Sequence, residues 1–327
     1  MDRDLTIPKT LSFVVPIYNE EECIPELIRR FDPIVKAFAK DWNVSAKVIF
    51  VDDGSKDSSF AQLKDLSAGY AWMLLLKLSR NFGHQIAVTA GLDAADSDYV
   101  CIIDADLQDP PELVFDMLKI METGVNIVYG KRRSRQGETR LKRTTASVFY
   151  RTLRFLTEVD IPPDTGDFRL IDSKVLRALK QMPEHNRFLR GMVPWVGFKS
   201  VAFEYHRDSR FAGTTKYPLR KMLRLGLDAV LSFSAKPMRI ASYLGVLMVL
   251  ASFTGLFAML YLWTFTSVVI PGLMVGLSAT VLMNGVTLVI VGIMGEYISR
   301  IYVEVQRRPL YLVDSVYEIR PEKELQK

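Results

Sequence analysis

The sequence predicts an α/β domain built on a mostly parallel β-sheet, followed by a two-helix transmembrane hairpin. Strand-like and helix-like segments alternate over the first 130 residues, and the strands are apolar throughout. This pattern is typical of a parallel sheet covered by helices on both faces. No Asp, Glu, Lys or Arg occurs between Ile240 and Gly295. These 56 residues are enough for two membrane-spanning helices of about 20–25 residues each and a short loop.

The elements of the sheet domain follow one another in a regular order. Apolar runs predict strands at residues 11–17, 48–51, 73–78, 99–103 and 126–129. Helices are predicted at residues 21–39, 59–66 and 85–95, and another begins at Pro110-Pro111 and ends at Gly124. Because ligands bind at the carboxyl ends of the strands in such sheets, the polar residues that follow each strand are the candidates for a site.

The fourth predicted strand is followed by Asp104-Ala105-Asp106. Two carboxylates one residue apart suit a divalent ion, Mg²⁺ or Mn²⁺, that carries a diphosphate. Gln108 can add a neutral oxygen ligand. An isolated pair of this kind is equally typical of a solvated acidic turn, so the rest of the chain decides between the two interpretations.

Two further polar motifs follow the first and second strands. Residues 16–20 read Pro-Ile-Tyr-Asn-Glu, and residues 52–55 read Asp-Asp-Gly-Ser. Tyr18 offers a ring that can stack on a base, and Asp53 can accept hydrogen bonds from a base or a ribose. The second motif alone is also typical of a turn that caps a helix. Three polar motifs at the ends of the first, second and fourth strands favour a ligand site.

These motifs, together with Gly-Asp-Phe-Arg-Leu at residues 166–170, resemble those of the GT-A, family 2 glycosyltransferases, which have a Rossmann-like domain. Within that family the chain is similar to the polyprenyl-phosphate glycosyltransferases, which include dolichol-phosphate mannose synthase and bacterial bactoprenol glucosyltransferases. The runs at residues 187–191 and 210–217, followed by two spans, resemble the bacterial branch. Arg190 is not followed by Trp, so the Gln-x-x-Arg-Trp signature of processive polysaccharide synthases is absent, which argues against polymerisation.

The resemblance implies a role for each matching residue. The residues that would hold the nucleotide are Pro16, Tyr18, Asn19, Glu20, Val51 and Asp53. The metal and diphosphate strip would be Asp104, Ala105 and Asp106, with Asp106 as the direct metal ligand and Asp104 and Gln108 as further candidate ligands. Arg132, Arg210 and Lys216 match basic positions that contact the donor diphosphate or the acceptor phosphate. Asp167 is left with three roles, as an acceptor-orienting residue, a weak base or a structural partner of Arg169. His84 is equally compatible with the donor pocket and with a structural loop position.

The resemblance also implies the reaction, a metal-dependent, inverting transfer of one sugar from a nucleotide diphosphate sugar to undecaprenyl or dolichyl phosphate. UDP-glucose is the favoured donor, and GDP-mannose or a modified arabinose donor is the alternative. A phosphate acceptor is already anionic, so it needs little help from a general base. An inactive, membrane-tethered scaffold that binds nucleotide sugars is the alternative from another functional class.

The predicted organisation has four parts, which are a catalytic domain at residues 1–216, an amphipathic interfacial helix at 217–238, two spans within 239–295 and a tail at 296–327. The spans are expected at about 240–263 and 270–294. Basic residues flank the pair of spans, at Lys236, Arg239, Arg300, Arg307 and Arg308, whereas the loop between them is uncharged. The positive-inside rule therefore predicts a bacterial-type inner-membrane protein whose catalytic domain and both termini are cytoplasmic. The charged N-terminus predicts no signal peptide.

Several partners are predicted from the remaining features. Residues 128–154 contain nine Lys or Arg and one acidic residue, and beside a membrane such a stretch favours lipid phosphates over nucleic acid. The spans carry no charged residue for transport, so flipping of the glycolipid would fall to a separate flippase. The small residues in the spans suit packing within a homo-oligomer. Cys23 and Cys101 are expected to be reduced core residues.

Overall fold

The computed structural model describes residues 9–133, 165–207, 234, 236–265 and 272–318. Of these, residues 9–133, 165–207 and 309–318 belong to one compact unit, and residues 234–308, with their gaps, belong to another. The first unit contains all the described strands, and the second contains two long helices.

An eight-stranded mixed sheet forms the first unit. Its strands are β1 (Lys9–Ile17), β2 (Val44–Asp52), β3 (Met73–Leu78), β4 (Tyr99–Ile102), β5 (Ile127–Arg132), β6 (Thr165–Asp172), β7 (Ser200–Tyr205) and β8 (Val313–Glu318). They are ordered β7-β5-β6-β4-β1-β2-β3-β8. The neighbours β3-β2-β1-β4 are parallel, and so are β5 and β7. The predicted α/β class with a mostly parallel sheet is confirmed.

The sheet differs from the simplest sequence expectation at β6. This strand lies between β4 and β5 and is antiparallel to both. The apolar pattern does not predict it because two charged residues, Asp167 and Arg169, interrupt it, although both side chains are buried. Strand β6 therefore brings charged groups into the interior beside the end of β4.

The described helices of this unit pack around the sheet. They are α1 (Ile24–Asp41), α2 (Ser59–Ser67), α3 (His84–Ala94), α4 (Val114–Met121, after a 3₁₀ turn at Pro111–Leu113), α5 (Ser173–Gln181) and α6 (Leu189–Trp195). The core contains a cluster of aromatic rings from α1 and the sheet, in which Phe13, Phe31 and Phe50 are fully buried. Helix α3 lies very close to the sheet, because a Cβ atom on Gly91 would stand 2.3 Å from Val14 Cγ1. This packing fixes the strand ends from which the site is built.

The C-terminal tail returns to the sheet. Strand β8 pairs antiparallel with β3, and the N–H of Ser79 donates to the carbonyl of Leu312 over 2.9 Å. Tyr317 packs against Phe60, with ring centroids 5.9 Å apart. The tail thus covers β3, which would otherwise be an exposed edge strand.

The second unit holds helices α7 (Lys236–Phe265) and α8 (Gly272–Gln306), both long and apolar enough to span a membrane. Helix α7 ends at Phe265 and α8 begins at Gly272, close to the loop predicted between the two spans at about residues 263–270. Helix α8 continues 12 residues beyond the predicted end at 294, and an ion pair between Glu296 and Arg300, 3.3 Å apart, lies in this extension. The predicted interfacial helix at 217–238 lies mostly outside the described residues.

Candidate active site

The loops that follow β1 and β2 are joined by hydrogen bonds between polar side chains and backbone groups. The N–H of Asn19 donates to Ser55 Oγ over 3.1 Å, and the N–H of Lys56 donates to Asn19 Oδ1 over 2.8 Å. Asn19 has φ 53°, a left-handed conformation that Asn tolerates better than most residues. The N–H of Glu20 donates to Ser59 Oγ over 2.9 Å. Tyr18, beside this network, is 38% exposed, so its ring is accessible for stacking.

Asp53 fixes a third loop, the one between β3 and α3. Its Oδ1 accepts from the N–H of Phe82 over 2.7 Å, and its Oδ2 accepts from the N–H of Gly83 over 2.9 Å. Burial raises the pKa of Asp53, and the two backbone donors oppose that shift. Gly54 has φ 66°, and a Cβ atom there would lie 2.6 Å from the carbonyl carbon of Arg80. The three loops therefore form one backbone scaffold.

Asp104 lies beside two residues from distant elements, His84 and Asp167. His84 Nε2 is 3.2 Å from Asp167 Oδ2 and 3.6 Å from Asp104 Oδ1. One ligand atom from each of the three residues lies within 4.8 Å of the other two, a grouping that can hold a metal ion. His84, for which the sequence left two interpretations open, thus lies beside the carboxylates of Asp104 and Asp167.

Two arginines surround the buried carboxylate of Asp167. Arg190 binds it with two hydrogen bonds, from Nε to Oδ1 over 2.9 Å and from Nη2 to Oδ2 over 3.0 Å. Arg169 Nη2 is 3.9 Å from Asp167 Oδ1, and the guanidinium donates to the carbonyls of Gly166, Asp167 and Leu189. A bidentate arginine is among the strongest partners of a carboxylate, so Asp167 is held in one orientation.

These contacts set the charges of the cluster. Burial raises the pKa of Asp167, but Arg190 and His84 outweigh it and hold that pKa well below its usual range. Burial lowers the pKa of His84, but the hydrogen bond to Asp167 and the charge of Asp104 raise it to about 9. Burial raises the pKa of Asp104 to about 6, against the opposing effect of His84. Asp167 is therefore a carboxylate and His84 a cation at neutral pH.

Asp106, the last residue of the strip, and Asp109, three residues further on, have their own set of partners. Both side chains are buried, and the N–H of Gln108 donates to Asp106 Oδ1 over 3.1 Å, across Leu107 at φ 59°. Tyr205, at the end of β7, donates its hydroxyl hydrogen to Asp109 Oδ1. Arg207 lies close to both carboxylates, at 3.4 Å from Asp109 Oδ1 through Nε and at 3.9 Å from Asp106 Oδ2 through Nη2.

The basic residues predicted to contact phosphates lie only partly within the described chain. Arg132 ends β5, and a Cβ atom on Gly166 would stand 2.8 Å from Arg132 Nη2, so glycine leaves room for this guanidinium. Arg210 and Lys216 lie outside the described residues. Among the remaining predicted residues, Pro16 lies in β1, Val51 is buried in β2 and Ala105 is buried beside Asp104.

Two buried carboxylate oxygens, Asp104 Oδ1 in the strip and Asp109 Oδ2 beside it, have no hydrogen-bond partner among the described residues. Buried acceptors without a partner are rare in proteins, and a bound cation is one way to satisfy them. The sequence analysis assigned no site role to Asp109, Arg190, Tyr205 and Arg207, although Arg190 lies in the run at residues 187–191 that resembles the bacterial branch. The position of Arg207 just beyond a strand end is the signal that could have identified it.

Known proteins that are similar to this chain are glycosyltransferases. Residues 12–180 match the model of the glycosyl transferase family 2. The chain is 47% identical over 308 residues to the uncharacterized glycosyltransferase YkcC of Bacillus subtilis (strain 168), covering 94% of each chain. It is 36% identical over 309 residues to the prophage bactoprenol glucosyl transferase homolog of Escherichia coli (strain K12), covering 94% of this chain and 99% of that one.

Among solved structures it is similar to glucosyl-3-phosphoglycerate synthase from Mycobacterium tuberculosis in complex with Mn²⁺, UDP-glucose and phosphoglyceric acid. That match has a TM-score of 0.46 and 18% identity, and it covers 68% of this chain and 78% of that one.

Proposed function

This chain belongs to glycosyl transferase family 2 and is a glycosyltransferase, and from that premise we propose that it transfers one sugar from a nucleotide diphosphate sugar to a polyprenyl phosphate. Relatives named bactoprenol glucosyl transferase, 36% identical over 99% of their length, support this acceptor class. Their name also favours glucose as the sugar, and we propose UDP-glucose as the donor. GDP-mannose is the alternative donor, and both donors are assayed.

The observation that carries the proposal is the carboxylate strip after β4, in which Asp106 is buried and Asp104 Oδ1 accepts no hydrogen bond from the described residues. The residues that fit a divalent ion there are Asp106 as the direct ligand, with Asp104 and Gln108 beside it. Buried anions with unused oxygen acceptors suit Mg²⁺ or Mn²⁺, which prefer oxygen ligands. When bound, such an ion would stabilise the charge that develops on the departing diphosphate.

The loops after β1 and β2 suit the nucleotide. Tyr18 has an accessible ring for the base, and Asn19 and Glu20 are held by the hydrogen bonds between the loops. Asp53 keeps lone pairs available after accepting from Phe82 and Gly83, because each carboxylate oxygen can accept two hydrogen bonds. We propose that this preformed scaffold holds the donor so that its diphosphate lies along the strip.

Asp167 is a positioning residue in this proposal. Its low pKa and its pairing with Arg190 and His84 make it a poor base. A polyprenyl phosphate needs no strong base, because the attacking oxygen already carries charge near neutral pH. The more demanding task is to bring two anionic substrates together, and guanidinium groups suit it by geometry and charge. Arg132 supplies one of these groups, and Arg210 and Lys216 are proposed to supply the others.

The two apolar helices suit an enzyme with a lipid acceptor. We propose that α7 and α8 cross the membrane as a hairpin. The basic residues at both outer ends of the hairpin support a cytoplasmic catalytic unit, and so do the cytoplasmic nucleotide sugars that it would use.

The test is transfer of radiolabelled sugar to undecaprenyl phosphate by the purified full-length protein. UDP-glucose and GDP-mannose are each assayed with Mg²⁺ and with EDTA, and undecaprenol without phosphate is the control acceptor. We expect a metal-dependent glycolipid from UDP-glucose with the phosphorylated acceptor only. Folded protein that binds UDP but forms no product from either donor would contradict the proposal and favour the scaffold alternative.

A further inference from the structure

Arg207 lies between the two buried carboxylates on the far side of the strip, and nothing in the motifs assigns it a role. Its Nε is 3.4 Å from Asp109 Oδ1, and its Nη2 is 3.9 Å from Asp106 Oδ2. The arginine side chain is 24% exposed, whereas the side chains of Asp106 and Asp109 are 8% and 0% exposed. Arg207 is thus a partly exposed cation beside two buried carboxylates.

The two contacts of Arg207 differ in strength. Asp109 is fully buried and also accepts a hydrogen bond from Tyr205, so it needs a nearby positive charge to be tolerated in the interior. Arg207 Nε makes no hydrogen bond with the described residues, so both contacts act through charge. The contact with Asp109 is the shorter of the two and is therefore the stronger.

Packing around Tyr205 fixes the end of β7, two residues before Arg207. Tyr205 is paired with Arg132 in the register of β5 and β7, and its ring packs against Phe168 with centroids 5.6 Å apart. Gly130 leaves room for that ring, because a Cβ atom there would lie 2.9 Å from Tyr205 Cε1. The chain therefore reaches Arg207 from a fixed strand end, and the two ion pairs place its guanidinium beside Asp106 and Asp109.

We propose that Arg207 is a positioning residue that makes binding of a divalent ion at Asp106 depend on the nucleotide diphosphate. An ion bound by Asp106 alone would lie close to the guanidinium, and like charges beside buried carboxylates are only partly screened by water and repel one another. A diphosphate brings negative charges that interact with both cations and remove this penalty. The inference rests on the proposed function, in which Asp106 is the metal ligand.

The test measures Mn²⁺ binding by electron paramagnetic resonance on the full-length protein, with and without UDP. The variants are R207Q, R207K and the control R133Q, which removes a nearby positive charge from an exposed arginine 3.6 Å from Glu204. We expect R207Q to bind Mn²⁺ alone on the order of fivefold more tightly than wild type. The factor by which UDP tightens Mn²⁺ binding should shrink correspondingly. R133Q should match wild type.

The outcomes separate the inference from the proposed function. If wild type binds Mn²⁺ with UDP but R207Q keeps the wild-type dependence on UDP, the inference is overturned and the proposed metal site stands. If wild type binds no Mn²⁺ even with UDP, the metal site of the proposed function fails and the inference fails with it. R207K keeps the positive charge and should therefore retain most of the dependence on UDP. If R207Q does not fold, R207M takes its place as the uncharged variant, and a dependence on UDP equal to that of wild type would then overturn the inference.

Discussion

The two halves of the candidate site are stabilised in different ways. The loops after β1, β2 and β3 are joined by hydrogen bonds between residues 29 to 39 positions apart, mostly from backbone N–H groups. The carboxylates of the strip and Asp167 are instead balanced by side chains from distant elements, such as His84 and Asp167, 83 positions apart, and Tyr205 and Asp109, 96 positions apart. The first half is a fixed scaffold, whereas the second is a set of paired charges whose balance a charged ligand can change.

The largest effect that we expect comes from the charge-balanced half, through Asp106→Asn. The amide keeps the shape of the side chain but removes the negative charge that would hold the metal and the diphosphate. Sugar transfer should fall by about 10²-fold or more, while the unfolding temperature stays within a few degrees of wild type. Initial rates of glycolipid formation and thermal unfolding in detergent are the two measurements.

A matched control for this variant is Asp116→Asn on α4. Asp116 is an exposed carboxylate paired with Lys119 over 2.7 Å, so its loss should change neither activity nor stability appreciably. Near wild-type transfer by the Asp106→Asn protein would show that this carboxylate has no part in the mechanism. The charge-balanced half would then have only a structural role, like the scaffold half.

Gly54→Ala tests the scaffold half and should cost the most stability. The backbone at Gly54 has φ 66°, and the added Cβ atom would lie 2.6 Å from a backbone carbon of Arg80 that cannot move aside easily. Backbone strain and the clash together should lower the free energy of unfolding by about 3 kcal/mol. Gly124→Ala is the control, since φ is 83° there but no described atom lies within 4 Å of the new one. It should cost only about 1 kcal/mol. Equal losses in the two variants would contradict the close approach.

Asp53→Asn weakens the scaffold half without adding an atom. One of the two backbone donors, Phe82 or Gly83, then faces an amide NH₂ group instead of an oxygen. We expect a loss of about 2 kcal/mol in the free energy of unfolding and weaker binding of UDP, both measurable by thermal shift with and without the nucleotide. A variant as stable as wild type would mean that the loop between β3 and α3 is held by other contacts.

The two halves also differ in how far the sequence predicts them. The strand ends, the polar motifs and the mostly parallel sheet follow from local patterns, because a buried parallel strand is apolar throughout and its loop residues are polar. The partners of Asp104 and Asp167 do not follow from such patterns. The packing of α6 and α3 brings Arg190 and His84 close to these carboxylates. Strand β6 places Asp167 in the interior although its sequence contains charged residues, which are typical of exposed segments. Charge pairing across the fold depends on tertiary distances, which a local pattern does not encode.

The smallest effect is a pH dependence of stability that belongs to the charge-balanced half alone. The pKa of His84 is raised to about 9 in the fold, and an imidazole in the unfolded chain titrates near about 6.5. The folded protein therefore holds this proton more tightly, so the stabilisation is complete below about pH 6.5 and is lost as the pH rises through about 9.

His84→Gln removes the titrating group and should flatten that part of the curve. Because the His84 side chain is 35% exposed, solvent screening limits the difference between pH 7 and pH 9 to about 1 kcal/mol. The measurement is thermal unfolding of wild type, His84→Gln and the control His206→Gln across this range, with EDTA present so that no ion competes at Asp104. Wild type and His206→Gln should lose stability in parallel while His84→Gln loses less. Parallel curves for all three proteins would mean that Arg190 and Arg169 balance the charge of Asp167 without a contribution from His84, the first residue of α3.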